Sequence, residues 1–437
     1  MIAEHQRVEG TVERIDGEGR GVAEIDGVEV VIAGAFLGEV VGVRVDHVSR
    51  GRARAFAALE ELQIPHAERR AAPCERHPDR GGACTGCAWQ GLGEAAQREH
   101  KRRLLADVYG LEVDAVRSLP GGDLGYRWSS KRVVGGRPGA LVLGSYVRGS
   151  HELAEMAGCL VEHPAIAAAA HELCAVADEL EIVPYDERSG AGDLRYVWLK
   201  TDGRRVLLTL ITGGRESRAA ALLGERLRVP SGVAWSVQGG EGNAIRGREA
   251  AIVRGAASLS LRLAGREVEV GPLGFLQPNP AVAELAYRDL VRDADGSRLR
   301  GALAFDLYAG AGVTTSLLRE GFARVVPVES YPESAHALGV VPLTGADFLA
   351  GYRGDAPALV VANPPRAGLG AEVCRRLGEL APPRIQVMSC APKTLARDLA
   401  ALEATGYERV ALRAYDTLPQ TPHVEVVAWL RRRPPAS

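Results

Sequence analysis

The sequence predicts an α/β protein. Its C-terminal part reads as a doubly wound, mostly parallel sheet, preceded by an α+β unit and a small N-terminal β module. Three observations predict this. From residue 302 the strand-like runs ALAFDL, RVVPVE, ALVVA, IQVMS, RVALRAY and EVVAWL alternate with helical stretches. The last two runs are joined only by Asp416–His423, too short for a crossover helix, so those strands must be antiparallel. Before residue 58, short stretches of alternating polarity are punctuated by Gly17, Gly19, Gly27, Gly34 and Gly51.

Taken in order, residues 1–58 carry five such runs, RVEGTVERI, GRGVAEI, VEVVIAG, EVVGVRVDHV and RARAFAAL. Five strands in so small a unit predict a closed barrel of the OB kind. Residues 59–270 form the α+β unit. It opens on a loop-rich stretch with three cysteines and continues into a helix from Gly93 to Gly110 with a basic face. Strand-like pieces around an Ala165–Leu180 helix follow. Residues 271–437 hold the doubly wound sheet.

A chain of 437 residues has material for two to four domains. A net charge of −2 excludes a polycation, so any nucleic-acid surface is a local patch. No apolar run is long enough to span a membrane and the start, MIAEHQRVEG, has no signal-peptide pattern, so a cytoplasmic protein is expected. No feature predicts an obligate protein partner. Basic residues are almost all arginine, with lysine only at 101, 131, 200 and 393. Cys74, Cys84 and Cys87 cluster, and Cys159 stands alone in MAGCLVEHP. Cys174 and Cys374 lie in helical stretches and read as core. In a cytoplasmic protein such a cluster suggests a metal centre more than a disulfide, and C-x-x-C is also a common zinc half-site.

Chemistry concentrates in the C-terminal part. Phe305–Leu318, FDLYAGAGVTTSLL, is a strand, a Gly-rich turn and a helix start. Glu329 ends the next strand, placed to accept hydrogen bonds from ribose hydroxyls. A nicotinamide cofactor or S-adenosylmethionine suits this pattern. NPPRAGLG, from Asn363, follows the strand ALVVA and makes a rigid turn that favours the methyl donor. Cys390 follows IQVMS, and Glu425 opens EVVAWL. Taken singly, each has a plain alternative as a small core residue or a solvated carboxylate. Together, a thiol that attacks an electron-poor carbon and a carboxylate that removes a proton suit methylation of an unreactive carbon.

These motifs resemble the RNA uracil-5 methyltransferases, in particular the branch that modifies 23S ribosomal RNA and carries a TRAM domain and an iron–sulfur cluster. The resemblance runs through CERHPDRGGACTGCAWQGL, GYRWSSKRVV, LGSYVRGSHEL, GCLVEHP, GFLQPNP, DLYAGAGVTTSLL, NPPRAGL, SCAPKTLARDL and LPQTPHVEVV. It implies a TRAM-like RNA-binding module over 1–58 and a Rossmann-like methyltransferase domain over 271–437. It implies Cys390 as the nucleophile that adds to carbon 6 of uracil and Glu425 as the base that removes the carbon 5 proton. Gln277, Tyr308, Glu329 and Asn363 match positions that bind S-adenosylmethionine. Cys74, Cys84, Cys87 and Cys159 match the ligands of a [4Fe–4S] cluster, with zinc as the alternative.

Transfer RNA is the competing substrate. A catalytically impaired RNA-binding homologue is the competing function, because ESYPESAHALGVVPLTGAD (Glu329–Asp347) leaves little room for the helix that relatives carry there. The basic stretch Arg98–Arg103 and the segment Tyr126–Arg132 are candidate RNA grips, or equally solvated charge around core aromatics.

Overall fold

The structure, a computed structural model, describes residues 2–51, 53–240, 245 and 247–434. Arg52, which opens the run RARAFAAL, lies outside the described residues. The N-terminal module has six strands rather than five: β1 Arg7–Thr11, β2 Arg14–Ile15, β3 Gly21–Ile25, β4 Val28–Ile32, β5 Val40–Val48 and β6 Arg54–Ile64. The run RVEGTVERI splits into β1 and β2 around Val12 and Glu13. Pairing follows the order β1-β5-β6-β4-β3-β2, with β6 continuing past residue 58. Inward Val12, Ala23, Val30, Ile32, Val41, Val43 and Val45 fill its core.

Next come α1 (Glu94–Tyr109) and the two-residue strand β7 (Val116–Arg117). Gly110 ends α1 at φ +64; its N–H donates to the Ala106 carbonyl and the next N–H, of Leu111, to the Leu105 carbonyl. A seven-stranded mixed sheet follows, made of β8 (Ser129–Arg137), β9 (Ala140–Tyr146), β10 (Leu153–Glu155), β11 (Leu194–Thr201), β12 (Val206–Thr212), β13 (Gly232–Val237) and β14 (Ala250–Gly255). It is interleaved with α2 (Pro164–Glu179) and α3 (Arg218–Arg226). Every residue of β11 and β12 is buried, as expected of central strands. Helix α2 starts where the His163 ring accepts from the Ala165 N–H and Pro164 fixes the first turn.

The C-terminal part begins with a hairpin, β15 (Leu259–Leu263) and β16 (Arg266–Val270), and then α4 (Pro280–Leu290). After it come β17 (Gly301–Leu307), α5 (Val313–Leu318), β18 (Phe322–Val328), α6 (Pro332–Ala337), α7 (Gly345–Gly351), β19 (Leu359–Ala362), α8 (Ala371–Leu380), β20 (Arg384–Ser389), α9 (Pro392–Ala404), β21 (Tyr407–Tyr415) and β22 (Glu425–Arg432). The sheet order is β18-β17-β19-β20-β22-β21-β7. Strands β17 to β20 are parallel, and β22 is antiparallel to both β20 and β21, as the short connection requires. Segment Glu329–Asp347, expected to leave little room for a helix, holds only the six-residue α6, started by Pro332, ahead of the start of α7.

Alternation along the strands explains why helices cover both faces. Phe305, Leu307, Val360, Ala362, Ile385, Val387, Val426 and Ala428 face one core with α8 and α9. Ala304, Leu359, Val361, Met388, Val427 and Trp429 face the other, with α4, α5 and the hairpin. Strand order reverses between β17 and β19, so a crevice opens beyond their carboxyl ends. Among the described residues no helix is long and apolar enough to cross a membrane.

Candidate active site

Four loops meet at the carboxyl edge of the C-terminal sheet. The turn after β17 carries Tyr308 at φ +61, Gly310 at φ +56 and Gly312 at φ +80, and α5 springs from Gly312. A Cβ built at Gly312 would lie 2.6 Å from Leu338 Cδ2, so this position requires glycine on space as well as on φ. The turn is fixed from below by Asp306, whose Oδ2 accepts from the hydroxyls of Thr314 (2.7 Å) and Thr315 (2.5 Å). Burial pushes the Asp306 carboxyl up to about 6, against the pull of those two donors.

Glu329, just past β18, accepts the Gly310 N–H (2.9 Å) on one carboxylate oxygen and the Tyr331 N–H (2.7 Å) on the other. Each oxygen keeps a lone pair for a ribose hydroxyl. Tyr308 is half-buried, and its phenol is raised to about 12 by burial. Asn363 follows β19, and its N–H donates to the Leu307 carbonyl (3.3 Å). The NPPR loop is then bolted to α9. Asp398 accepts the N–H groups of Leu369 (2.6 Å) and Gly370 (3.4 Å), and the Thr394 hydroxyl donates to the Arg366 carbonyl (3.0 Å).

Cys390 is exposed, between the end of β20 and the N-terminus of α9. Glu425 is buried at the first position of β22. The antiparallel register between β20 and β22 ends at Ser389 paired with Val426, so Cys390 and Glu425 are the next residues beyond that pair, near enough for the Glu425 charge to act on the Cys390 thiol. Burial pushes the Glu425 carboxyl up to about 8. The Cys390 thiol is also raised, first by the protein packed around it and then by the charge of Glu425, while the nearby Arg366 cation pulls the other way. Gln277 hydrogen-bonds the buried Tyr287 of α4, which in turn feels Glu425. Gln277, Tyr287, Glu425 and Cys390 thus form one chain of neighbours.

Glu425 follows a nine-residue loop that is tied down by distant segments. Lys101, fully buried on α1, pairs with Asp416 and donates to the carbonyls of Leu418 (3.0 Å) and His423 (2.7 Å). The Trp89 N–H donates to Gln420 O, and the Tyr126 hydroxyl to Pro419 O, both at 3.0 Å. Sequence reasoning missed Asp306, Arg366, Tyr287 and Lys101. A signal for the first was a lone acidic residue inside the otherwise apolar run ALAFDL, and for the last the scarcity of lysine.

The expected basic grips are mostly structural. Lys101 and Arg132 are buried in ion pairs with Asp416 and Glu162. Arg98, Arg102 and Arg103 pair with Glu94, Glu99 and Asp107 on their own helix, and Tyr126 is buried.

Cys74, Cys84, Cys87 and Cys159 line one small cavity with Met156, Leu160 and Val161. Burial and the neighbouring thiols raise Cys87 to about 12, and burial raises Cys159 to about 11. Among the described residues no three or more His, Cys, Asp or Glu side chains are gathered tightly enough for a single metal ion.

The family model for tRNA (uracil-5-)-methyltransferases matches residues 352–433, the stretch that holds both Cys390 and Glu425. An uncharacterized RNA methyltransferase of Geobacter sulfurreducens is 31% identical over 98% of this chain and 90% of its own length. The chain belongs to the RNA uracil-5 methyltransferase family. An uncharacterized RNA methyltransferase of Caldanaerobacter subterraneus is 28% identical over 98% of both chains. Among solved structures, the Pyrococcus abyssi tRNA (uracil-54, C5)-methyltransferase in complex with S-adenosyl-L-homocysteine shares the fold. Its TM-score is 0.73 at 22% identity, covering 97% of this chain and 100% of that one. For a uracil-5 methyltransferase, the crevice between β17 and β19 and the Cys390–Glu425 pair lie on one continuous edge of the sheet.

Proposed function

We propose that this chain methylates carbon 5 of a specific uridine in RNA through a transient Cys390–uracil adduct, with Glu425 as the base. The observation that carries it is an exposed thiol and a buried carboxylate placed just beyond the last Ser389–Val426 pair, close enough for the Glu425 charge to act on the thiol. Carbon 5 of uracil does not attack a methyl donor unaided. Addition of Cys390 sulfur to carbon 6 moves electron density onto carbon 5. The Arg366 guanidinium beside the thiol favours its reactive thiolate form. Glu425 then takes the carbon 5 proton, the carbon 5–carbon 6 double bond re-forms, and the thiol leaves.

S-adenosylmethionine supplies the electrophilic methyl group. The residues that would hold it are Gln277, Tyr308, Glu329 and Asn363. Their fit rests on the free lone pairs of Glu329 and on the open space before the Gly310 Cα.

Cys74, Cys84, Cys87 and Cys159 are assigned to a [4Fe–4S] cluster rather than zinc. The meeting of the four thiols around one cavity supports a shared metal group, and the family resemblance is what favours the cluster over zinc. When bound, the cluster supplies a covalent pin between the 74–87 segment and the Cys159 turn. The module of β1 to β6 is assigned the TRAM-like role of gripping RNA.

The substrate reading is 23S ribosomal RNA, resting on that module and the cysteine set. Transfer RNA is the second reading, favoured by the description of the matching family. Methyl transfer to ribosomal fragments and to tRNA transcripts, followed by mapping of 5-methyluridine, separates them. Cys390→Ala must abolish transfer to either, and normal transfer by that variant would overturn the mechanism.

A further inference from the structure

Of 53 basic residues in this chain only four are lysines, at 101, 131, 200 and 393, so arginine is the default cation. Two of the four, Lys101 and Lys200, are fully buried. An ammonium is a compact donor with three N–H groups, whereas a guanidinium is a planar fork. A lysine retained in such a chain therefore marks a place where several acceptors converge on one point.

Lys101 meets that description. Its three acceptors are the Asp416 carboxylate, the Leu418 carbonyl and the His423 carbonyl. Asp416 directly follows β21, and His423 lies two residues before Glu425, so the ammonium closes both ends of the loop that delivers the carboxylate. Gln97, one turn earlier on the same face of α1, grips the middle. Its amide nitrogen donates to Gln420 Oε1, and its amide oxygen accepts the Gln420 N–H, both at 2.8 Å. Gln420 sits at φ +69, a conformation that a non-glycine residue keeps only when its surroundings impose it.

We propose that Lys101 is a positioning residue for the base, its buried ammonium fixing the Leu418–His423 loop so that the Glu425 carboxylate faces carbon 5 of the Cys390 adduct. This rests on the covalent reading above. It makes a specific demand on the order of steps. Addition of the thiol and methylation do not need Glu425. Breaking the carbon 5–hydrogen bond does, because its electron pair forms the double bond and expels sulfur while the proton ends on the carboxylate. A loosened loop therefore leaves the methylated adduct standing.

The test uses the full chain, methyl-labelled S-adenosylmethionine and total RNA from a strain lacking the gene. Label is counted in denaturant-stable protein–RNA complex and in released RNA. Glu425→Gln is the reference and must accumulate complex. Lys101→Met combined with Asp416→Asn removes both charges, so no buried carboxylate is left unpaired. It should raise the ratio of complex to released product at least tenfold over the unsubstituted protein. Gln97→Met, which involves no charge, should raise it in the same direction by a smaller factor.

Lys200→Met is the control for loss of a buried lysine. Lys200 donates to the Gly271 and Pro272 carbonyls on a different loop, and that variant should stay at the unsubstituted ratio. If Glu425→Gln accumulates complex while the folded Lys101 and Gln97 variants release product at the normal ratio, the positioning role is overturned. Equal accumulation by Lys200→Met overturns it too. If Glu425→Gln itself accumulates none, the covalent reading fails first.

Discussion

Replacing Glu425 by glutamine should stabilise the protein, and increasingly so as pH rises. The folded carboxyl titrates near 8, against 4.5 ordinarily, because burial penalises its charge. Below 4.5 both folded and unfolded chains hold the proton and nothing is lost. Between 4.5 and 8 the unfolded chain ionises first, so stability falls as pH rises. Above 8 the full cost is present and constant. At ~1.4 kcal/mol per pH unit, ionising this group in place costs the folded state on the order of 5 kcal/mol. Glutamine has no such titration, so groups remote from position 425 cancel in the comparison. Urea unfolding of both proteins without RNA, at pH 5 to 9, reads the difference directly. The glutamine variant should gain ~4–6 kcal/mol relative to the parent across that span. Parallel curves would refute the claim that burial raises the Glu425 carboxyl.

Three further outcomes follow from the same geometry. Iodoacetamide should modify Cys390 at lower pH in Glu425→Gln and at higher pH in Arg366→Ala, since the first removes a charge that raises the thiol and the second a cation that lowers it. Mass spectrometry of the 390 peptide over pH 6–10 reads both shifts, and a shift in the opposite sense would contradict the site electrostatics. Gly19→Ala should cost ~1–3 kcal/mol and slow methyl transfer. Gly19 lies at φ +82, and a Cβ there would meet Pro422 Cβ at 2.7 Å, pressing on the loop before Glu425; unfolding and single-turnover rates measure the two effects. Anaerobically purified protein should contain about four iron and four sulfide per chain. Cys159→Ala should lose both, and stoichiometric zinc instead would replace the cluster assignment.

How far the residues announced this arrangement differs from place to place. The central strands of the C-terminal sheet were legible as apolar runs because they are buried on both faces, as Val426, Val427 and Ala428 of β22 are. The antiparallel last pair was legible from loop length alone. Strands β2 and β7 were not, because two residues carry no period. Helix α1 read as a basic surface because its charges are visible in sequence, while the partner that buries Lys101 lies 315 residues away. The same distance hid the anchors of the loop before Glu425. Cys390 and Glu425 could be named from their motifs, but only strand register puts both just beyond the Ser389–Val426 pair.

The most direct measurement of the central claim is to trap and map the adduct. RNA containing 5-fluorouridine carries fluorine where Glu425 would take a proton, so release of sulfur is blocked once methyl transfer has occurred. Incubation with S-adenosylmethionine should give a denaturant-stable complex whose modified peptide contains Cys390, and Cys390→Ala should give none. A complex mapped to another residue, or methylated product from Cys390→Ala at the normal rate, would contradict the account.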